Sequence, residues 1–77
     1  MVNPRLTNIL VEILEVNEKE VTPNLAMGIT QSWDSLRHIE LVFRIEETFN
    51  VRFRAEVISK ITSVELIQKA LEENGIT

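Results

Sequence analysis

Apolar residues recur along the chain with helical spacing, and the first such segment lies near the N-terminus. Its leucines and isoleucines stand three and four residues apart, which places them on one face of a helix; they are Leu6, Ile9, Leu10, Ile13 and Leu14. We expect this helix to span about residues 4–16. Asn3 is suited to be its N-cap, and Pro4 fits the first helical position, where a missing N–H costs nothing.

The middle segment carries two apolar faces and predicts a helix from Asp34, or just before it, to about Asn50. At 100° per residue one face collects His38, Leu41, Val42, Ile45 and Phe49, and a nearly opposite face collects Leu36, Ile39 and Phe43. A short surface helix needs only one apolar face. The second face therefore predicts a docking surface, unless residues 54–61 cover part of it.

The last helical segment is the C-terminal one. Thr62 and Glu65 fit a capping box, and Ile61 and Leu66 fit the positions of a hydrophobic staple. Asn74 and Gly75 predict its end. The expected buried face comprises Val64, Ile67 and Leu71, with Leu66 and Ala70 beside them.

The rest of the chain consists of connections. Residues 17–32 show no sustained period, and we expect Leu25, Met27 and Ile29 to anchor this loop to the core; a loop of this length in a small protein is often functional. Residues 54–60 can form a short helix or a structured turn. The sequence predicts one all-α domain over residues 1–77: a small four-helix bundle of three longer helices and a short third helix, with a long loop between helices 1 and 2.

Composition excludes several classes of function. The chain has 77 residues, no cysteine and a net charge of −4, so disulfides and thiolate–metal sites are ruled out. An acidic balance without a basic stripe opposes nucleic-acid binding, including that of a helical DNA-binding domain. With no membrane-length apolar run and no signal-peptide pattern, we expect a cytoplasmic monomer that does not insert into membranes.

Few side chains offer chemistry. Ser35, His38 and Asp34 can be written as a triad, but all three fall at one helix start and nothing supplies an oxyanion pocket, so we do not expect catalysis. The acidic pairs at 46–47 and 72–73 predict solvated faces rather than a metal site. Ser35, at the head of a helix, is suited to bear a phosphodiester, because a helix N-terminus favours phosphate. Simple capping by Asp34 and Ser35 is the equal alternative.

The motif Asp34-Ser35-Leu36 heads the second helix, followed by Ile39-Glu40-Leu41 and by the sequence Ile-Glu-Glu-Thr-Phe at 45–49. Together with the helix layout and the sequence at 60–64, these motifs resemble the acyl carrier protein family over nearly the whole chain. In that family the serine bears 4′-phosphopantetheine, whose thiol carries an acyl group as a thioester. The resemblance implies a non-catalytic carrier that a phosphopantetheinyl transferase modifies and that acyl-loading and acyl-transferring enzymes use.

The resemblance also implies roles for individual positions. The implied cofactor-binding residues are Ser35, Asp34 and Leu36: Ser35 is the attachment site, and Asp34 is implied to assist the transferase through its metal-dependent chemistry. The implied partner-binding positions are Leu36, Ile39, Glu40, Phe43 and Glu47. The implied acyl pocket comprises Val42, Ile45, Phe53, Ile61 and Ile67, for which plain core packing is the alternative.

Some residues depart from carriers of general fatty acid synthesis. Trp33 stands where a small residue is usual, Arg37 follows the leucine of the motif, and His38 comes next; this pattern resembles discrete carriers of specialised pathways. We add Arg37 and Arg44 to the partner-binding set as residues that tune partner choice, with a Glu40–Arg44 pair contributing little to stability. The alternatives are a carrier of amino acids or polyketide extender units, and an unmodified protein-interaction module of the same fold.

Overall fold

The first helix, α1, spans Pro4–Leu14 in a computed structural model that describes residues 2–76 of the chain. Asn3 is its N-cap, as the sequence predicts, and its side-chain oxygen accepts from the backbone N–H groups of Arg5 and Leu6. The helix ends before the predicted residue 16. Glu15 adopts the left-handed conformation, with a φ of 55°, and a right-handed helix cannot continue through it.

The second helix, α2, spans Ser35–Phe49. Asp34 lies just before it as the N-cap, and Asn50 ends it with a φ of 55°, in the left-handed conformation that asparagine tolerates better than most residues. The predicted core face is confirmed, since the buried residues of this helix are His38, Leu41, Val42, Ile45 and Phe49.

Helices α1 and α2 lie antiparallel, because Arg5 at the start of α1 contacts Phe49 at the end of α2, and Arg37 at the start of α2 bonds the carbonyl of Ile13 at the end of α1. The Arg5 guanidinium carbon lies 4.7 Å from the centroid of the Phe49 ring. Arg44 forms an ion pair with Glu12, with 2.9 Å between Nη1 and Oε1. Arg44 thus faces α1, and the expected pair with Glu40 on its own helix is wrong.

Backbone hydrogen bonds attach the long loop to the start of the last helix, α4, which spans Val64–Glu73. The N–H of Val64 donates to the carbonyl of Leu25 at 3.0 Å. The N–H of Glu65 donates to the carbonyl of Pro23 at 3.1 Å. The loop therefore supplies acceptors for N–H groups that have no partner within the helix.

These loop contacts also fix where α4 begins. Ser63, not Thr62, is the N-cap, and its hydroxyl accepts from the N–H of Leu66 at 3.2 Å, so the predicted Thr62–Glu65 capping box is wrong by one residue. Leu66 is 42% exposed and lies outside the buried face. With Ser63 as the N-cap, the staple positions fall on Thr62 and Ile67 rather than on Ile61 and Leu66. The predicted end is confirmed, with Asn74 as the C-cap and Gly75 at a φ of 83°.

The remaining segments are short. Helix α3 spans Ala55–Ile58, and a single 3₁₀ turn spans Glu18–Glu20. No β-strand occurs within residues 2–76, where the only bridges are two isolated ones, one of which joins Ala26 to Ser63. Leu25 and Met27 contact the core as expected, but Ile29 is 81% exposed and does not anchor the loop.

The buried side chains form one continuous core to which α1, α2 and α4 contribute. It comprises Leu6, Ile9, Leu10, Leu14, Trp33, Leu41, Val42, Ile45, Phe49, Ile61, Val64, Ile67, Ala70 and Leu71. The described residues are thus all-α and compact, with a radius of gyration of 11.1 Å. None of the helices within residues 2–76 has the length and apolar character needed to cross a bilayer.

Candidate functional site

Ser35 is the first residue of α2 and is exposed. Asp34 positions it, because the Asp34 carboxylate accepts from the N–H of Arg37 at 2.8 Å and the Asp34 carbonyl accepts from the N–H of His38 at 2.9 Å. The leading N–H groups of a helix have no partner within it and form its positive end. The Ser35 hydroxyl thus lies where a covalently attached phosphate is electrostatically favoured.

A chain of buried hydrogen bonds lies behind Ser35. The Trp33 indole N–H donates to Nδ1 of His38 at 3.0 Å, and Nε2 of His38 lies 2.8 Å from the carbonyl oxygen of Ile58. A carbonyl can only accept, so Nε2 carries the proton and Nδ1 does not. The geometry therefore fixes the tautomer and orientation of the ring.

This arrangement leaves His38 no free nitrogen to act as a general base toward Ser35. The imidazole is 5% exposed and both of its nitrogens are bonded, while the Asp34 carboxylate caps α2 rather than orienting the histidine. The three residues of the formal triad are close in sequence but are not hydrogen-bonded to one another as a triad requires.

Sequence reasoning missed Trp33 as the partner of His38. Trp33 is 2% exposed, and a buried indole N–H usually finds an acceptor. The signal was present, because His38 falls on the core face of the predicted helix and follows the tryptophan by five residues.

The second apolar face of α2 is exposed. Leu36 is 71% exposed, Phe43 is 66% exposed and Ile39 is 47% exposed. Residues 54–61 therefore leave Leu36 and Phe43 uncovered and lie beside Ile39 alone, across an open groove. Glu40 and Glu47 are also exposed, and their helical positions flank Leu36 and Phe43 on the side away from Ile39. We call these five residues the docking face: Leu36, Ile39, Glu40, Phe43 and Glu47.

The two arginines expected to tune partner choice are bonded to α1. Arg37 donates from Nη1 to the carbonyl of Ile13 at 3.1 Å, and its Nη2 lies 3.4 Å from the carboxylate of Glu15. It thereby supplies a donor to the C-terminal end of α1, where carbonyls lack partners within the helix. Arg37 and Arg44 have structural contacts, whatever they do toward partners.

An open groove of about 510 Å³ lies beside Ser35, between the head of α2 and the segment that contains α3. It is largely apolar, and its lining comprises Met27, Ser35, His38, Ile39, Ala55, Ile58, Ser59 and Thr62. None of the five residues implied as an acyl pocket lines it. Val42, Ile45, Ile61 and Ile67 are buried in the core, and Phe53 packs against the core as a half-buried residue.

Other features of the site bear on chemistry. Glu46, which the sequence assigned to a solvated acidic pair, accepts from the N–H of Phe53 at 2.8 Å and so holds the segment after α2.

Within residues 2–76, no three histidine, aspartate or glutamate side chains come together to hold a metal ion. Compared with models of known protein families, the chain matches none.

Proposed function

We propose that this chain is an acyl carrier protein whose Ser35 is modified with 4′-phosphopantetheine. The helices would then form the four-helix bundle of that family, and the arm's thiol would carry an acyl group as a thioester between partner enzymes. One observation supports this most strongly: Ser35 is exposed at the N-terminal end of α2, directly beside an exposed apolar face on the same helix.

The chemistry of the chain is consistent with a carrier that is a substrate rather than an enzyme. It has no cysteine, so a thioester would depend on the thiol of the attached arm. His38 is engaged through both nitrogens and is not positioned to activate Ser35. The modifying transferase would use Asp34, and partner enzymes would contact the docking face.

Intact-mass analysis after incubation with coenzyme A, Mg²⁺ and a promiscuous phosphopantetheinyl transferase tests the modification. We expect the mass to rise by one phosphopantetheine in the natural protein and not in Ser35→Ala. Ser32→Ala is the matched control, because Ser32 lies three residues before Ser35 and outside the helix. Labelling that persists in Ser35→Ala, with circular dichroism showing an intact helical fold, would contradict the assignment.

A second candidate is an interaction module of the same fold that is never modified. The exposure of Leu36 and Phe43 favours docking whether or not Ser35 carries an arm. This candidate would be favoured if the natural protein gains no mass in the labelling experiment and if replacing Phe43 abolishes binding to a partner protein. Arg37 and Arg44 do not indicate which pathway such a carrier would serve, because their contacts with α1 give a structural reason for their presence.

A further inference from the structure

The imidazole of His38, held by its hydrogen bonds, lies between the core and the groove beside Ser35. His38 belongs both to the groove lining and to the buried face of α2. One turn further along that face lies Val42, which is 2% exposed. An apolar group attached through Ser35 can therefore reach the groove directly, whereas the core lies behind the imidazole.

The imidazole is held in place from two sides. The Trp33 indole bonds it to the loop that precedes α2, and the Ile58 carbonyl bonds it to α3. Helix α3 has four residues, none fully buried, and no side-chain cap at its start. The bond from His38 to Ile58 adds to the packing of Val57 and Ile58 against the core. We call the Trp33–His38–Ile58 chain the latch.

We propose that the latch makes His38 a specificity-determining residue, which keeps short acyl groups in the surface groove and admits only longer ones to the core. The proposal rests on the proposed function, since it concerns what the arm on Ser35 carries. A chain that enters the core must displace the imidazole and break both bonds of the latch.

The cost of breaking the two hydrogen bonds and the gain from burying methylenes together determine the acyl-chain length at which the core becomes accessible. Leaving the partners of one buried hydrogen bond unsatisfied lowers the equilibrium constant for entry into the core by about 30-fold, so breaking both bonds lowers it by about 1000-fold. Burial of one methylene from water favours entry into the core by about fourfold at most, because the apolar groove already shields part of the chain. At least about five methylenes are therefore needed to offset the two bonds, so a butyryl group remains in the groove, and only a longer chain such as decanoyl can enter the core.

The experiment compares carriers loaded on Ser35 from acyl-coenzyme A species of two to ten carbons. Methyl NMR reports on the core through Val42, Ile45 and Ile61, and on the groove through Met27 and Ile39. In the natural protein we expect the NMR signals of the groove methyls to shift when the attached acyl group has four or more carbons. The core methyls should shift only beyond about five methylenes.

Variants of the latch should change the threshold, which is the length of acyl chain at which the core methyls begin to shift. In His38→Leu, which has no polar atoms to satisfy, the core methyls should respond already to butyryl. Trp33→Phe breaks one bond without altering the groove lining, and its threshold should fall by about half; it also serves if His38→Leu does not fold. Thr48→Val is the control, because Thr48 lies on α2 outside both the latch and the groove lining and its replacement should leave the threshold unchanged.

Long-range nitrogen-15 spectra of the imidazole test the latch independently of any loading. They should show Nε2 protonated and Nδ1 unprotonated in the natural protein. The opposite tautomer, core methyls that respond to butyryl in the natural protein, or an unchanged threshold in the latch variants would each overturn the proposal.

A chemical route separates failure of this proposal from failure of the proposed function. The chain has no cysteine, so Ser35→Cys provides a single thiol that alkyl methanethiosulfonates modify with butyl or decyl chains. If the transferase does not label Ser35, the carrier function fails. The core methyls of the alkylated variant still show whether the latch excludes butyl and admits decyl, and a core response to butyl would overturn the latch.

Discussion

At the scale of single residues, the buried polar groups near Ser35 are fully paired. The Trp33 and His38 ring centroids lie 6.0 Å apart, and their hydrogen bond continues to Ile58. No buried side-chain nitrogen or oxygen within the described residues lacks a partner. Buried polar groups of this kind add to stability only while every partner remains, because an unpaired one costs more than the bond contributes.

Replacing Trp33 with phenylalanine should therefore destabilise the fold. The variant leaves Nδ1 of His38 buried without a donor, which costs about 1–3 kcal/mol, and adds a smaller loss from reduced packing. Urea unfolding followed by circular dichroism measures the change. The double variant with His38→Leu should lose less than the sum of the single losses, with a coupling of about 0.5–3 kcal/mol; additive losses would show that the two residues contribute independently.

At the scale of helices, the sequence was informative about faces and less so about ends. The period of apolar residues gave the buried face of α2, including His38, and the exposed Leu36, Ile39 and Phe43, because side-chain direction in a helix follows spacing alone. The start of α4 was misplaced by one residue. Its first N–H groups bond the carbonyls of Pro23 and Leu25, and backbone acceptors leave no signature in the sequence.

The candidate site was predictable to a similar degree. Ser35, Asp34 and the exposed face follow from local pattern, since each depends on one helix and its N-cap. The latch and the groove do not, because they depend on where α3 lies relative to α2. Likewise, nothing in the spacing of Arg37 and Arg44 shows that both reach α1.

The helix-end contact of Arg37 should contribute more stability than the ion pair of Arg44. Arg37→Gln removes a hydrogen bond to a terminal carbonyl and a contact with Glu15, for which we expect a loss of about 1–1.5 kcal/mol. Arg44→Gln removes an exposed pair worth about 0.2–1 kcal/mol. Urea unfolding at low and high salt measures both; a larger loss in Arg44→Gln would reverse our assignment of the structural role.

The exposed face of α2 should contribute little to folding. Phe43 is 66% exposed, so Phe43→Ala should cost less than about 1 kcal/mol, whereas Leu41→Ala, at a fully buried position of the same helix, should cost about 2–5 kcal/mol. Thermal or urea unfolding compares them. Under the proposed function, transfer of a phosphopantetheine arm to Ser35 should be slower in Phe43→Ala. A stability loss as large as that of Leu41→Ala would place Phe43 in the core instead.

At the scale of the whole molecule, the arrangement of charge matters more than its sum of −4. The positive charge of Arg37 lies beside Glu15, which follows α1, and that of Arg44 lies beside Glu12 of α1, so both are compensated. Glu40 and Glu47 are exposed on the docking face and take part in none of the ion pairs of residues 2–76. The docking face is therefore apolar with an acidic edge, and it suits an apolar patch with basic residues at its rim.

Under the proposed function, the charge of the docking face should control how fast partner enzymes bind. Replacing both Glu40 and Glu47 with glutamine removes two negative charges beside the apolar residues, and kcat/KM for loading by a transferase with a basic docking surface should fall several-fold at low salt. The difference should shrink as salt is raised, because the Debye length falls from about 10 Å at 0.1 M to about 3 Å at 1 M.

The matched control for this experiment replaces Glu72 and Glu73 with glutamine. Both are exposed at the end of α4, so this variant has the same net charge as the first with the docking face intact. If attraction depends on the acidic edge of α2, the control should load at nearly the natural rate, because charges away from the contact act only through a weak, screened field. Equal losses in the two variants would mean that net charge, rather than the docking face, guides the encounter, and the partner surface would then need no basic rim.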